Sequence, residues 1–187
     1  AEEGIESNPD FGKKMFEKKM GDRFYSFDHK GWHFIALDAI YRGEDGRYIG
    51  KIDEEQVAWL KTDLENTDKE MPIAITVHIP FITASTQLRL GAMAANTPGG
   101  VISNSLKVLQ LFGEHNLKLV LQGHLHFIED LFVGNKVHFI TGGAVCGRWW
   151  SNEPGDHPEE GFMMIHVKGE EVSSEYIDYG WTPKWNK

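Results

Sequence analysis

Two short apolar runs set the frame of this sequence. Ile73 to Val77 and Leu117 to Leu121 are nearly continuous in aliphatic side chains, the pattern of strands buried on both faces. Other stretches keep a clear period. From Asp53 to Glu65, Val57, Leu60 and Leu64 recur at helical spacing, and Asp53 and Gln56 stand three apart as in a capping box. Asp10 to Met20 reads as a basic helix with Phe11, Met15 and Phe16 on one side and Gly21 at its end. A further helix opens at Ser103 or Asn104, carries Leu106, Leu109 and Phe112, and stops near Gly113.

Between these lie hairpin signatures. Arg23 to Asp28 and Trp32 to Asp38 flank His29-Lys30-Gly31, and Phe127 to Val133 and Lys136 to Thr141 flank Gly134-Asn135, a pair suited to a type I′ turn. Phe162 to Val167 and Glu171 to Tyr176 form the last hairpin, while Thr83 to Val101 reads as one long polar loop. Strands interleaved with helices, followed by antiparallel hairpins, predict an α/β layered domain with a mixed sheet.

The chain has 187 residues, enough to bury one good core, and 41% hydrophobic with 25% charged residues is ordinary globular composition. Lys and Arg number 19 against 28 Asp and Glu, a net charge of -9 that repels phosphate backbones and argues against a nucleic-acid partner. A small phosphate ester remains compatible, because bound divalent cations invert the local field. The one cysteine, Cys146, allows neither an intrachain disulfide nor a thiolate zinc knuckle. No apolar run reaches the length of a membrane span. The start, Ala1-Glu2-Glu3-Gly4, has no basic and apolar regions of a signal peptide, and we expect an upstream segment to have been removed.

The chemistry gathers where the apolar runs end. Ile73–Val77 gives way to His78-Ile79-Pro80, and Leu117–Leu121 to Gln122-Gly123-His124-Leu125-His126. Ligand sites of open α/β sheets form beyond the carboxyl ends of strands, and neutral imidazole is the commonest protein metal ligand. Two neighbouring parallel strands would therefore place His78, His124 and His126 along one rim, where three imidazoles suit zinc, iron or manganese.

Thr76-Val77-His78-Ile79-Pro80 followed by Gln122-Gly123-His124-Leu125-His126 resembles the last two metal motifs of calcineurin-like metallophosphoesterases. Tyr25-Ser26-Phe27 through Trp32-His33-Phe34-Ile35-Ala36-Leu37-Asp38 is similar to the hairpin after that family's Gly-Asn-His motif, and Glu55-Gln56-Val57-Ala58-Trp59-Leu60 to its usual helix. Gly142-Gly143-Ala144-Val145-Cys146-Gly147-Arg148-Trp149-Trp150 resembles a bacterial subgroup with an appended C-terminal region. The resemblance covers the family's second half only. It implies half of a layered α-β-β-α sandwich, with residues 1–142 the C-terminal half of the phosphoesterase domain and 143–187 a loop and hairpin extension packed on it.

In that family two metals activate a bridging hydroxide that attacks phosphorus in line. The resemblance assigns His78 and His124 to the second metal and His126 to the first. Its other motifs, Asp-x-His, Gly-Asp-x-x-Asp and Gly-Asn-His, have no counterpart. Gly21-Asp22-Arg23-Phe24-Tyr25 lacks the second aspartate, and Gly134-Asn135-Lys136 lacks the histidine. No catalytic acid is thus assigned in this chain, and a binuclear centre of Fe, Mn or Zn reduces to one weakly held ion or none. The expectation is the C-terminal portion of a metal-dependent phosphoesterase acting on phosphate monoesters or diesters, inactive without the missing motifs and packed on the missing half or on a second copy. Loss of the first half is also expected to strip cover from Ile73–Val77. The other reading is a non-catalytic metal-binding or interaction module that keeps the fold. Likeness to the bacterial subgroup fits a secreted or periplasmic location.

Four further residues are substrate-binding candidates: Arg89 in the long loop could meet a phosphate, and Arg148, Trp149 and Trp150 could stack on or clamp an organic group. His33, His138 and His166 stand at strand positions and read as hydrogen-bonded structural histidines, His115 as a helix C-terminal cap, and Asp28-His29 and Asp156-His157 as surface pairs.

Overall fold

The two apolar runs become adjacent, parallel strands at the centre of one sheet. A computed structural model describes residues 12–147, 149–150 and 160–181. In chain order the elements are α1 (Lys13–Met20), β1 (Tyr25–His29), β2 (Trp32–Leu37), β3 (Ile40–Arg42), β4 (Tyr48–Gly50), α2 (Glu54–Glu65), β5 (Ile73–Val77), α3 (Ser85–Leu90) and α4 (Ser105–Leu109). A 3-10 turn, Gln110–Phe112, continues α4. Then come β6 (Leu117–Gln122), β7 (Glu129–Val133), β8 (Val137–Thr141), β9 (Gly161–Lys168) and β10 (Glu171–Asp178).

Six strands form the main sheet in the order β1-β2-β5-β6-β8-β7. β2, β5, β6 and β8 run parallel, and β1 and β7 close the two edges antiparallel. The expected mixed α/β sheet with C-terminal antiparallel hairpins is what the chain forms. Both tight hairpins turn through two residues with positive φ, Lys30 and Gly31 in one, Gly134 and Asn135 in the other, which matches the right-handed twist of the strands.

Alternation sorts the sheet's side chains onto two covered faces. Ile35, Leu37, Ile73, Ile75, Val77, Val120 and Phe139 face one way and pack with Val57, Leu60 and Leu64 of α2 and Val108 and Phe112 around α4. Trp32, Ala74, Leu119 and Ile140 face the other way, where Met163, Ile165 and Val172 of the β9–β10 hairpin lie over them. Between Ile73 and Ala74 the β5–β6 register slips by one, so Leu117 and Leu119 serve opposite faces despite their spacing of two.

That hairpin layer corrects one expectation. Ile73, Ala74, Ile75 and Val77 are all buried within this chain, and only Thr76 of β5 is exposed. The edge strand does expose apolar rings: Tyr25 and Phe27 are about half accessible and stack in series with Phe34.

Other departures are local. The loop from Thr83 to Val101 contains α3, and a short β3–β4 hairpin forms after Asp38 where none was expected. The basic helix starts at Lys13 with Gly12 as its cap and buries none of its residues; Asp10 and Phe11 lie outside the described residues. Leu106 of α4 is exposed, and Val108 makes the core contact. Asp53 caps α2 by accepting from Gln56 N–H at 3.0 Å. The Gln56 carbonyl oxygen that would close the capping box accepts from Asp38 N–H instead, and its amide donates back to Asp38 O.

Candidate metal centre

Parallel strands deliver their carboxyl ends to one edge of the sheet, so Asp38 after β2, His78 after β5 and the Gly123–His126 turn after β6 share a rim. The β5 and β6 ends are tied directly, for Gly123 N–H donates to His78 O at 3.0 Å. A Cβ at Gly123 would meet only His78 atoms at ordinary contact, so the glycine serves the turn rather than a tight approach.

His78 Nε2 and His124 Nδ1 are 3.2 Å apart, with ring centroids at 5.1 Å and planes at 72°. One neutral ring donating to the other accounts for that spacing. Two nitrogens ligating a single ion at about 2.0–2.1 Å also stand roughly 3.0–3.4 Å apart, depending on the angle at the metal. Burial lowers the pKa of both rings, and the neighbouring imidazoles lower it further, against a raising hydrogen bond that the His124 ring donates to the Gly99 backbone. Both therefore stay neutral, with lone pairs available at neutral pH. Tyr48 Oη lies 3.4 Å from His124 Nε2, and its ring meets the imidazole edge-on.

His126 is close enough to influence both His78 and His124 electrostatically. Its Nδ1, however, donates to Gly147 O at 2.7 Å, and its ring stacks on Trp149 with centroids 4.5 Å apart. This bond fixes the tautomer and leaves Nε2 as the basic nitrogen. His124 and His126 both hold positive φ, 71° and 50°, as do Trp149 and Trp150. Non-glycine residues occupy the left-handed region at a cost of order 1–2 kcal/mol and concentrate at functional sites.

The donor set suits one borderline cation and not two. His78 and His124 converge, His126 stands nearby, and among the described residues no cluster of three or more His, Cys, Asp or Glu side chains is assembled for a metal. The rim carboxylate Asp38 already receives Lys13 and Arg23. Arg23 also binds Asp53 at 2.9 Å and Glu55 at 2.6 Å and lies over the Phe24 ring. A cavity of about 730 Å3 opens beside His78, lined among others by Phe16, Leu37, Asp38, Arg42 and Tyr48.

Of the substrate candidates, Trp149 lies on His126 and Trp150 packs edge-on against Trp181. Arg89 lies in the last turn of α3 and is not among the residues lining that cavity. Arg148, like Asp156 and His157, lies outside the described residues. Tyr48 and Asp38 were missed from sequence. The only local signal for them was their place in the segment after β2.

The structural histidines are placed as follows. His33 bridges Asp28 and Asp63 at 2.6 and 2.9 Å, His138 meets Asp130, and His166 meets Glu175. His115 does not cap with its ring. Its backbone N–H returns to Phe112 O, while the buried Nδ1 has no hydrogen-bond partner.

Superposition on solved structures finds a dimetal phosphatase from Danio rerio, with a TM-score of 0.57 at 17% identity over 82% of this chain. The fold is metallophosphoesterase-like. The chain spans 57% of that phosphatase's length. A zinc-complexed Vps29 from Entamoeba histolytica, 16% identical over 78% of this chain and 98% of its own, gives a TM-score of 0.26, too low to establish a shared fold. No protein-family model matches the sequence. No curated protein matches it significantly.

Proposed function

We propose that this chain is the C-terminal, imidazole-bearing portion of a metal-dependent phosphoesterase that hydrolyses phosphate monoesters or diesters. The observation that carries the reading is the pair of neutral rings at 3.2 Å, one of them on a left-handed backbone, at the carboxyl ends of adjacent parallel strands. In this reading His78 and His124 ligate one divalent ion and His126 reaches a second. Trp149, Trp150, Arg89 and Arg148 contact the substrate. Bound metals would supply charge neutralisation at the phosphoryl group; the chain's own part is to hold uncharged nitrogens in place.

A companion half supplies the anionic ligands that this rim lacks. The exposed Tyr25–Phe27 ladder of edge strand β1, on the sheet face of Phe34, supports an additional protein layer over that face, as does the share of the dimetal phosphatase that this chain does not span.

Assaying p-nitrophenyl phosphate with manganese tests the reading: no turnover by the chain alone, and turnover once an upstream half carrying Asp-x-His and Gly-Asn-His motifs is joined to it. Robust turnover by the chain alone, or none after the halves are joined and folded, overturns it. The engagement of the rim carboxylate Asp38 with Lys13 and Arg23 favours a second reading, a non-catalytic module that keeps the fold.

A further inference from the structure

Gln122 is buried directly before the Gly123–His126 turn, yet its side chain serves a different loop. Its Oε1 accepts from Phe81 N–H at 3.0 Å, and its Nε2 donates to Ile82 O at 2.7 Å and to Thr141 Oγ1 at 2.9 Å. One amide thereby grips the backbone of two successive residues in the segment that carries His78 out of β5. Pro80 has no N–H for a ladder bond, and its carbonyl accepts from Ile102 N–H at 2.8 Å, outside the main sheet. The grip continues inward: Thr141 donates to Glu129 at 3.4 Å, and the other Glu129 oxygen accepts from Ala84 N–H at 2.7 Å. The His78 loop is thus fastened at Phe81 and Ile82 to Gln122 of β6 and at Ala84 to Glu129 of β7, with Thr141 of β8 joining the two side chains.

We infer that Gln122 is a positioning residue that sets the separation of His78 and His124. It acts through the loop backbone and touches neither ring. Gly123 N–H donates to His78 O at 3.0 Å and Ile102 N–H to Pro80 O at 2.8 Å, so two backbone bonds hold the segment beside the ring. The amide clamp at Phe81 and Ile82 adds a side-chain link to β6, the strand that carries His124, and holds the two nitrogens at ligand spacing. This rests on the reading of both rings as metal ligands, but the geometric part stands apart from it.

The test compares the wild type with Q122M, an isosteric side chain without polar atoms, and T141V, which removes only the inner end of the clamp. Two quantities are read: the NOE between the His78 and His124 ring protons, and Co2+ affinity from its absorption bands. The expected result is that Q122M loses the NOE and binds Co2+ about tenfold or more weakly, while T141V keeps the NOE and stays within about threefold. An NOE retained in Q122M, or equal losses in Q122M and T141V, overturns the inference. A wild type that shows the NOE but binds no Co2+ sinks the proposed metal site and leaves the positioning role standing. Should Q122M fail to fold, amide exchange in the wild type decides: a slowly exchanging Phe81 N–H supports the clamp, and rapid exchange there overturns it.

Discussion

His124 holds its Nδ1 3.2 Å from His78 Nε2 while its backbone sits at φ 71°, a conformation that glycine adopts without penalty. The chain accepts strain to aim this ring. H124A removes the ring and keeps the strain, whereas H124G removes both. H124G should therefore be more stable than H124A by about 1 kcal/mol in urea unfolding, with neither variant binding metal. Equal midpoints would show that the left-handed backbone carries no strain.

His33 lies between Asp63 and Asp28. Its hydrogen bond to Asp63 raises its pKa above the ordinary 6.5 despite burial, and Asp28 adds to this. Burial raises Asp63, but the hydrogen bonds from His33 and Ser26 outweigh it and hold it below 3.8. The raised histidine contributes stability that is complete below pH 6.5 and fades as pH climbs through its folded value. The lowered aspartate contributes above pH 3.8 and fades as pH falls through its folded value. The stability gained from this cluster is thus greatest between about pH 4 and 6.5. Thermal unfolding should show a maximum in that window that flattens in H33N. An unchanged profile in H33N would show that the cluster does not govern it.

Arg23 gathers Asp38, Asp53 and Glu55 beside the rim, and burial opposes its charge less than those carboxylates favour it. R23M should cost about 2–4 kcal/mol by leaving two partly buried aspartates without this guanidinium. R23K should recover only part of it, because one ammonium cannot fork across three carboxylates. Chemical denaturation of both variants measures this.

Gly50 ends β4 against the loop that crosses Pro98 to Ile102. A Cβ there would lie 2.3 Å from Val101 O, closer than any relaxed contact. G50A should destabilise the chain by about 1–3 kcal/mol and shift Tyr48, two residues away, off His124. A resonance shift at the His124 ring, alongside the lower unfolding midpoint, checks both parts.

The buried parallel pair and its histidines were legible because continuous aliphatic runs ending in His leave few alternatives. Tight turns were legible for the same local reason, as at Lys30-Gly31. The clamp at Gln122 was not, because a glutamine in a strand pattern carries no sign of which backbone it will reach across 41 residues. The misjudged exposure of Ile73–Val77 has a similar origin: burial of Ala74 depends on Met163 and Ile165, whose docking on this sheet no local period announces. Gln56 followed the same course, its spacing from Asp53 pointing to a capping box while tertiary contact with Asp38 took its carbonyl oxygen.

Equilibrium dialysis against Zn2+ with elemental analysis, on the wild type and on H78A, H124A and H126A, weighs the central claim most directly. The expected result is one ion per chain at saturation, lost in H78A and in H124A and retained in H126A. Zinc retained in full by both H78A and H124A would contradict it.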